Sequence, residues 1–226
     1  MDAPIRDKTL LPIYEKVCAG ERLTVAEGVT LFESDDLPGL SHIADTARER
    51  KVGDTVYWVR NLHINYTDIC GKGCTFCAFA RIRPEDGYVY SHEQTAREVT
   101  EYPGHLAEVH IVGGCNGKIK WDYYPEMIRT IKRVRPETHV KAFTMVELDF
   151  FAHKFKRPVE DILAELKEAG LDACPGGGAE VFSDRLHSHM FRYKTGPKRW
   201  LEVAKVCHDN GVKTNATMLF GHLETY

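Results

Sequence analysis

Three of the chain's seven cysteines, Cys70, Cys74 and Cys77, fall within eight residues in the order C-x-x-x-C-x-x-C. Iron–sulfur clusters are held by cysteine thiolates, and a four-iron cluster wants four ligands. This loop supplies three, and the next cysteine, Cys115, lies a whole strand–helix unit further on. A three-thiolate cluster leaves one iron open to a small chelating molecule. The rival reading is a structural zinc site completed by His63 or His92. Zinc sites of that kind usually present two ligand pairs, the second roughly 12–20 residues from the first, and no second pair exists here. The Gly-Lys-Gly stretch between the first two cysteines and Phe76 between the last two tilt the loop toward a cluster. Buried apolar thiols are the expectation for Cys18 and Cys207, and a buried neutral thiol for Cys115.

The elements that must position this loop alternate in type. The first sixty residues read as helices: LLPIYEKVCAGER, LTVAEGVTLFES and LPGLSHIADTARERKVGDTV carry apolar residues at three- and four-residue spacing. From residue 56 strands and helices take turns. VYWVRNLHINYT, EVHIVGG, HVKAFT, LDACPGGG and VKTNATMLFG read as strands. Between them SHEQTAREVTEY, DYYPEMIRTIKRV, PVEDILAELKEAG and GPKRWLEVAKVCHDNG read as helices, with Ser91 as a cap and Pro158 and Gly170 at helix ends. The fold class is therefore α/β: a partial (β/α)6 barrel with five βα units, preceded by a helical segment. The expected division is a helical extension over 1–55 and a barrel core over 56–226. Every chemically distinctive cluster then follows a strand: the cysteines, Gly113-Gly114, Glu147, Gly176 to Gly178, and His222 to Thr225. In βα barrels the loops at those strand ends build the active site. The chain ends just after the fifth strand, which leads to the expectation of a longer parent protein.

Thirty basic and thirty-three acidic side chains leave a formal charge of -3, which gives no reason to expect nucleic acid or an anionic membrane as partner. No apolar run approaches the ~20 residues of a membrane span. The charged N-terminus, MDAPIRDKTLLPIYEKV, lacks the apolar centre of a signal peptide. A cytoplasmic location is expected, where reducing conditions favour metal chemistry over disulfides for clustered cysteines.

C-GKG-C-TF-C after a first strand resembles the signature of the radical SAM superfamily, with the aromatic at Phe76. HIVGG (110–114) is similar to its glycine motif after the second strand, and TMLFGHLE (217–224) to its motif after the fifth, with Thr217 in place of a glycine. Four longer blocks, INYTDICGKGCTFCAFAR, HVKAFTMVELDFFA, AGLDACPGGGAEVF and KRWLEVAKVCHDNGVKTNATMLFGHLET, resemble the branch that serves menaquinone biosynthesis through futalosine. The KAFT…E and NATML blocks favour that branch's adenosyl-transferring enzyme over its hydrogen-abstracting sister, the cyclic dehypoxanthine futalosine synthase.

The resemblance implies a 4Fe-4S cluster on Cys70, Cys74 and Cys77 and S-adenosyl-L-methionine as co-substrate. It implies that Gly113 and Gly114 receive the methionine amino group and that the backbone near Leu219 meets adenine. The small-molecule substrate would be an enol-ether benzoate, 3-((1-carboxyvinyl)oxy)benzoate. The 5′-deoxyadenosyl radical adds to its double bond, giving 6-amino-6-deoxyfutalosine, with a reductant such as flavodoxin or ferredoxin as electron partner. A dianionic substrate needs cationic or hydrogen-bonding groups at strand ends. Candidates are His63, Asn65, Lys141, Thr144, Asn215 and His222, with His63, Glu180 and His222 placed at the chemistry. Glu147, Glu180 and Glu224 are expected to bond the ribose hydroxyls or amino group of the cofactor, Glu180 foremost because three glycines beside it let backbone approach a ligand. A lone histidine in a strand is often a satisfied core residue, and Lys141 can simply snorkel to solvent.

Overall fold

The computed structural model describes residues 4–225. They form two compact units that divide between Trp58 and Val59. In the first unit three helices, α1 (Leu11–Ala19), α2 (Val25–Glu33) and α3 (Leu37–Val52), surround a small core of Leu10, Ile13, Val17 and Ile43. Each has a local cause. Gly20 closes α1 in the left-handed region at φ 77, Thr24 and Glu27 form a capping box on α2, and Asp36 accepts the Gly39 N–H to start α3. Cys18 is exposed, contrary to its expected burial, because it falls on the outer side of α1 from Ile13 and Val17.

The second unit is an α/β layer built on a five-stranded parallel sheet. Its strands are β1 (Asn61–Ile64), β2 (Glu108–Ile111), β3 (His139–Ala142), β4 (Ala173–Cys174) and β5 (Lys213–Thr214), lying side by side in chain order. In a doubly wound sheet the strand order reverses partway. Here it never does, which is the winding of a βα barrel. The crossovers are α4 (His92–Glu101), α5 (Tyr123–Val134), the pair α6 (Met145–Phe155) and α7 (Val159–Ala169), and the pair α8 (Asp184–Met190) and α9 (Pro197–Asp209).

Register assigns the two faces of the sheet. Leu62 and Ile64, Val109 and Ile111, Val140 and Ala142 occupy matching rows and join the core with the helices' apolar stripes. On α5 that stripe is Tyr124, Met127, Ile128 and Ile131. The alternate positions are polar: Asn61 and His63, Glu108 and His110, His139 and Lys141. Cys174 and Cys207 are buried, the latter with its thiol 3.8 Å from the Met145 sulfur.

Three sequence expectations are corrected. Residues 56–59 form no strand: Val56, Tyr57, Trp58 and Val59 are exposed, since only residues 61–64 find a partner on β2. The fifth strand covers Lys213–Thr214 alone rather than 212–221. Glu147 lies not in a loop but at the third position of α6, where Thr144 and Glu147 form a capping box.

Candidate active site

The cysteine loop departs from β1 through Asn65 and Tyr66 and has no regular structure of its own. Its stem is closed by the Cys70 N–H donating to the Arg81 carbonyl (2.9 Å) and the Arg81 N–H to the Asp68 carbonyl (2.8 Å). Within it the Cys77 N–H donates to the Cys74 carbonyl (3.1 Å), and Gly73 turns the chain at φ 58. The far side is pinned to the end of α8. The Thr75 N–H donates to the Met190 carbonyl (2.8 Å), and Cys74 packs on the small core of Leu186, Met190 and Phe191. Phe76 meets Phe191 edge to face at 5.9 Å.

All three loop thiols are free and half-buried. They lie close enough for burial, together with the charges of Cys70 and Cys77, to raise the Cys74 thiol, while Lys194 opposes that rise. Cys70 is held down to about 6, first by a hydrogen bond with the Cys115 side chain, which itself is pushed up well above the usual thiol range. Among the described residues no three His, Cys, Asp or Glu side chains already converge on one point. The donor set nonetheless has the chemistry a cluster requires: three free thiols on one loop, with Cys70 held toward its thiolate and the charges of its neighbours raising Cys74, a cost that a cationic iron centre removes.

Gly113 and Gly114 follow β2 and pass directly behind this loop. A Cβ on Gly113 would stand 2.5 Å from the Tyr66 ring, and one on Gly114 2.2 Å from the Ile69 carbonyl oxygen. The backbone can approach so closely only without side chains. The Gly114 N–H donates to the Thr67 carbonyl at 2.8 Å and the Gly71 N–H to the Cys115 carbonyl at 3.3 Å, so the two strand-end loops are tied together.

Beneath them lies a buried polar node. Glu147 is 2% exposed and accepts from Tyr66 Oη (2.9 Å) and the Gly113 N–H (3.0 Å) on one oxygen. Its other oxygen accepts from the Thr144 N–H (2.8 Å) and Oγ1 (2.9 Å). Burial pushes Glu147 up to about 7 despite these four donors, and it pushes Tyr66 up as well. Thr144 N-caps α6, so the node fixes the exits of β1, β2 and β3 to one another. Phe143, just before it, takes a left-handed φ of 63 and is wedged edge-on against Tyr66, Tyr124 and Phe151.

The third group sits after β4 and β5. A Cβ on Gly176 would overlap the Asn215 carbonyl oxygen at 1.5 Å, so these two exits touch backbone to backbone. Glu180, in a left-handed turn at φ 51, is paired with Lys194, and both side chains are nearly buried. The Lys194 ammonium stands over Phe76 at 5.5 Å and Phe191 at 5.7 Å. The Leu219 N–H donates to the Glu180 carbonyl (3.4 Å), which brings the segment after β5 to the same turn. His222 and Glu224 pair with each other, and Glu224 also accepts from the Gly221 N–H, which holds its carboxyl at about 2.

The structure thus joins Cys70, Cys74, Cys77, Phe76, Gly113 and Gly114 in one wall and Glu180 and Leu219 in another, linked through Phe76 and Lys194. His222 and Glu224 form a separate exposed pair, and His63 lies within β1 rather than after it. Glu147 belongs to the supporting node, its carboxylate fully engaged inside the fold. Sequence reasoning missed Tyr66, Lys194 and α8. The Ser183 cap was a signal for α8, whereas nothing local marks Lys194 as reaching Phe76.

Comparison with known proteins matches this arrangement. The family model described as the radical SAM superfamily matches residues 64–226. The aminodeoxyfutalosine synthase of Thermus thermophilus is 42% identical over 98% of this chain and 60% of its own length. That of Streptomyces coelicolor is 38% identical over 99% of this chain and 57% of its own. A 5-amino-6-(D-ribitylamino)uracil–L-tyrosine 4-hydroxyphenyl transferase of Microcystis aeruginosa is 34% identical over 99% and 60%. The chain therefore spans about 60% of the length of these curated relatives. Among solved structures, methylornithine synthase superposes with a TM-score of 0.66 at 17% identity, over 89% of this chain and 57% of that one. The FeFe-hydrogenase maturase of Carboxydothermus hydrogenoformans gives 0.64 at 19%, over 95% and 49%, and at such identities the likeness concerns the fold. The chain belongs to the radical SAM superfamily, whose 4Fe-4S cluster and S-adenosylmethionine are its cofactors.

Proposed function

We propose that the protein of which this chain is the sequence is a transferase of the aminodeoxyfutalosine synthase type. It would join the adenosyl group of S-adenosylmethionine to 3-((1-carboxyvinyl)oxy)benzoate with consumption of one water, releasing methionine, bicarbonate and a proton and forming 6-amino-6-deoxyfutalosine for menaquinone biosynthesis. The observation that carries this reading is 42% identity to the Thermus enzyme across 98% of the chain. The hydroxyphenyl transferases match at lower identity.

In this reading Cys70, Cys74 and Cys77 hold the cluster, and Phe76 shields it on the side of Phe191. When bound, the cluster supplies the electron that cleaves S-adenosylmethionine to methionine and the 5′-deoxyadenosyl radical. Gly113 and Gly114 present backbone to the methionine moiety, and Glu147 acts at one remove by fixing the Gly113 N–H. The turn at Glu180 and the backbone at Leu219 flank the adenosine, and Glu224 bonds its hydroxyls. Glu180 reaches a ligand by exchanging its bond with Lys194, while His63 and His222 hydrogen-bond the substrate. A helical extension ending at Trp58 precedes a barrel core that begins at Val59. The electron donor is a small reductant of the flavodoxin or ferredoxin kind, and the location is cytoplasmic. No helix among the described residues is long and apolar enough to cross a membrane.

Mass spectrometry of the anaerobic reaction of the cluster-loaded full-length protein with the enol-ether benzoate tests the proposal. The expected product is the adenosylated adduct, formed one per S-adenosylmethionine consumed. Free 5′-deoxyadenosine with no adduct moves the assignment to the hydrogen-abstracting cyclic dehypoxanthine futalosine synthase type.

A further inference from the structure

The polar face of the sheet has a composition that packing does not explain. The interior of a βα barrel is ordinarily filled by bulky branched residues in layers. Here those residues, Ile64, Val109, Ile111 and Val140, all belong to the helix-packed core. The opposite face carries a continuous register row, His63–His110–Lys141–Ala173–Lys213, one residue from each strand. Four of the five are basic. The row lies just ahead of the strand exits that carry the site: Gly113 is three residues beyond His110, Thr144 three beyond Lys141, and Asn215 two beyond Lys213.

The two lysines of this row are not neutralised from within. The nearby carboxylate, Glu108, sits one layer lower and turns to histidines, 3.3 Å from His139 and 3.9 Å from His110. Lys141 and Lys213 have no ion-pair partner among the described residues. The His63 and His110 rings lie 4.9 Å apart, tilted by 37°, His63 exposed and His110 half-buried. Burial lowers His110 first, the neighbouring His63 and Lys141 lower it further, and Glu108 opposes them. Lys141 is half-buried and Lys213 exposed, and neither has an opposite charge beside it among the described residues.

We infer that this row is an anion cradle for an aromatic dicarboxylate, with Lys141 and Lys213 as its two poles and the His63–His110 pair as the surface for the ring. The inference deepens the transferase reading given above and rests on it for the placement of the substrate. Strand spacing puts Lys141 and Lys213 about 10 Å apart at the backbone, two strands of about 4.8 Å each. Between them Ala173 contributes only a methyl group. Two separated point charges suit two separate carboxylates. A single phosphate would call for an arginine fork or a helix N-terminus, and the row contains neither.

The test is calorimetric titration of the cluster-loaded full-length protein with three probes: the enol-ether benzoate, benzene-1,3-dicarboxylate and neutral benzamide. The wild type is expected to bind both dicarboxylates and not benzamide. Lys141→Met and Lys213→Met should each weaken the dicarboxylates by about tenfold or more, the worth of one charge-assisted hydrogen bond. Affinity for S-adenosylmethionine and the cluster absorption should stay as in the wild type, and Lys141→Arg should restore dicarboxylate binding to within about threefold. Wild-type binding of benzamide as tight as that of the dicarboxylate, or unchanged dicarboxylate affinity in both methionine variants, overturns the cradle. Failure of the transferase reading looks different. Dicarboxylate binding that depends on Lys141 without any adenosyl adduct removes the proposed reaction and leaves the cradle standing. Adduct formation with KM unchanged in both variants removes the cradle and leaves the reaction.

Discussion

The Glu147 node and the cysteine loop lie close together in the same unit, and they are opposites in hydrogen bonding. Glu147 is buried and its two oxygens accept four hydrogen bonds, from Tyr66, Gly113 and twice from Thr144. The loop is half-exposed, held mainly through its stem and Thr75, with three thiols that gain nothing from one another. The difference separates positioning from chemistry. A saturated buried network has one arrangement and transmits it to every strand exit it touches. Clustered thiols with few partners of their own are kept where a metal centre satisfies them.

If that division is right, damage to the loop should abolish the cofactor without unfolding the chain. Replacing Cys70, Cys74 or Cys77 by alanine is expected to remove nearly all bound iron and sulfide, measured by metal and sulfide analysis. Denaturant unfolding of the cluster-free form should move by less than about 1 kcal/mol. Damage to the node should do the reverse. Glu147→Ala orphans a buried Tyr66 hydroxyl and two backbone N–H groups, and is expected to cost about 3 kcal/mol of stability by the same unfolding measurement.

The node also has a pH signature. Burial raises Glu147 from 4.5 to about 7 in the folded chain. The folded state therefore holds a proton that the unfolded state releases, and stability falls as pH rises from about 4.5 through 7. The full effect is at most about 3 kcal/mol. Unfolding midpoints across that range should show the decline in the wild type and a flatter profile in Glu147→Gln.

Much of this was legible in the sequence, and the rest failed for identifiable reasons. The strand order followed from the alternation of apolar runs with helical periods, and the cysteine loop from spacing alone. The strand expected over residues 56–59 has the right residue types, but Val56, Tyr57 and Trp58 meet no partner strand, and β propensity without a neighbour forms nothing. The helix α6 was hidden because Thr144 through Glu147 follows a strand and reads as its loop, although T-x-x-E is itself a capping-box signal. The row His63–His110–Lys141–Lys213 spans 150 residues of sequence and becomes visible only once register is known.

Smaller effects sharpen the contrast at the loop's edges. Lys194→Met removes the partner of a nearly buried Glu180 carboxylate and the cation over Phe76, and is expected to cost about 2 kcal/mol. Adding Glu180→Gln should recover part of that loss, a coupling that a double-mutant cycle measures. Cys18→Ser, on the exposed side of α1, should change stability by less than about 0.5 kcal/mol and leave cluster content unaltered.

The most direct measurement is metal and sulfide analysis of the anaerobically reconstituted protein, combined with electron paramagnetic resonance of the reduced form with and without S-adenosylmethionine. The account predicts one 4Fe-4S cluster per chain, with a signal that shifts when S-adenosylmethionine is added, as an iron with an open coordination position requires. One zinc per chain with no iron or sulfide, or a cluster whose signal is indifferent to S-adenosylmethionine, would contradict it.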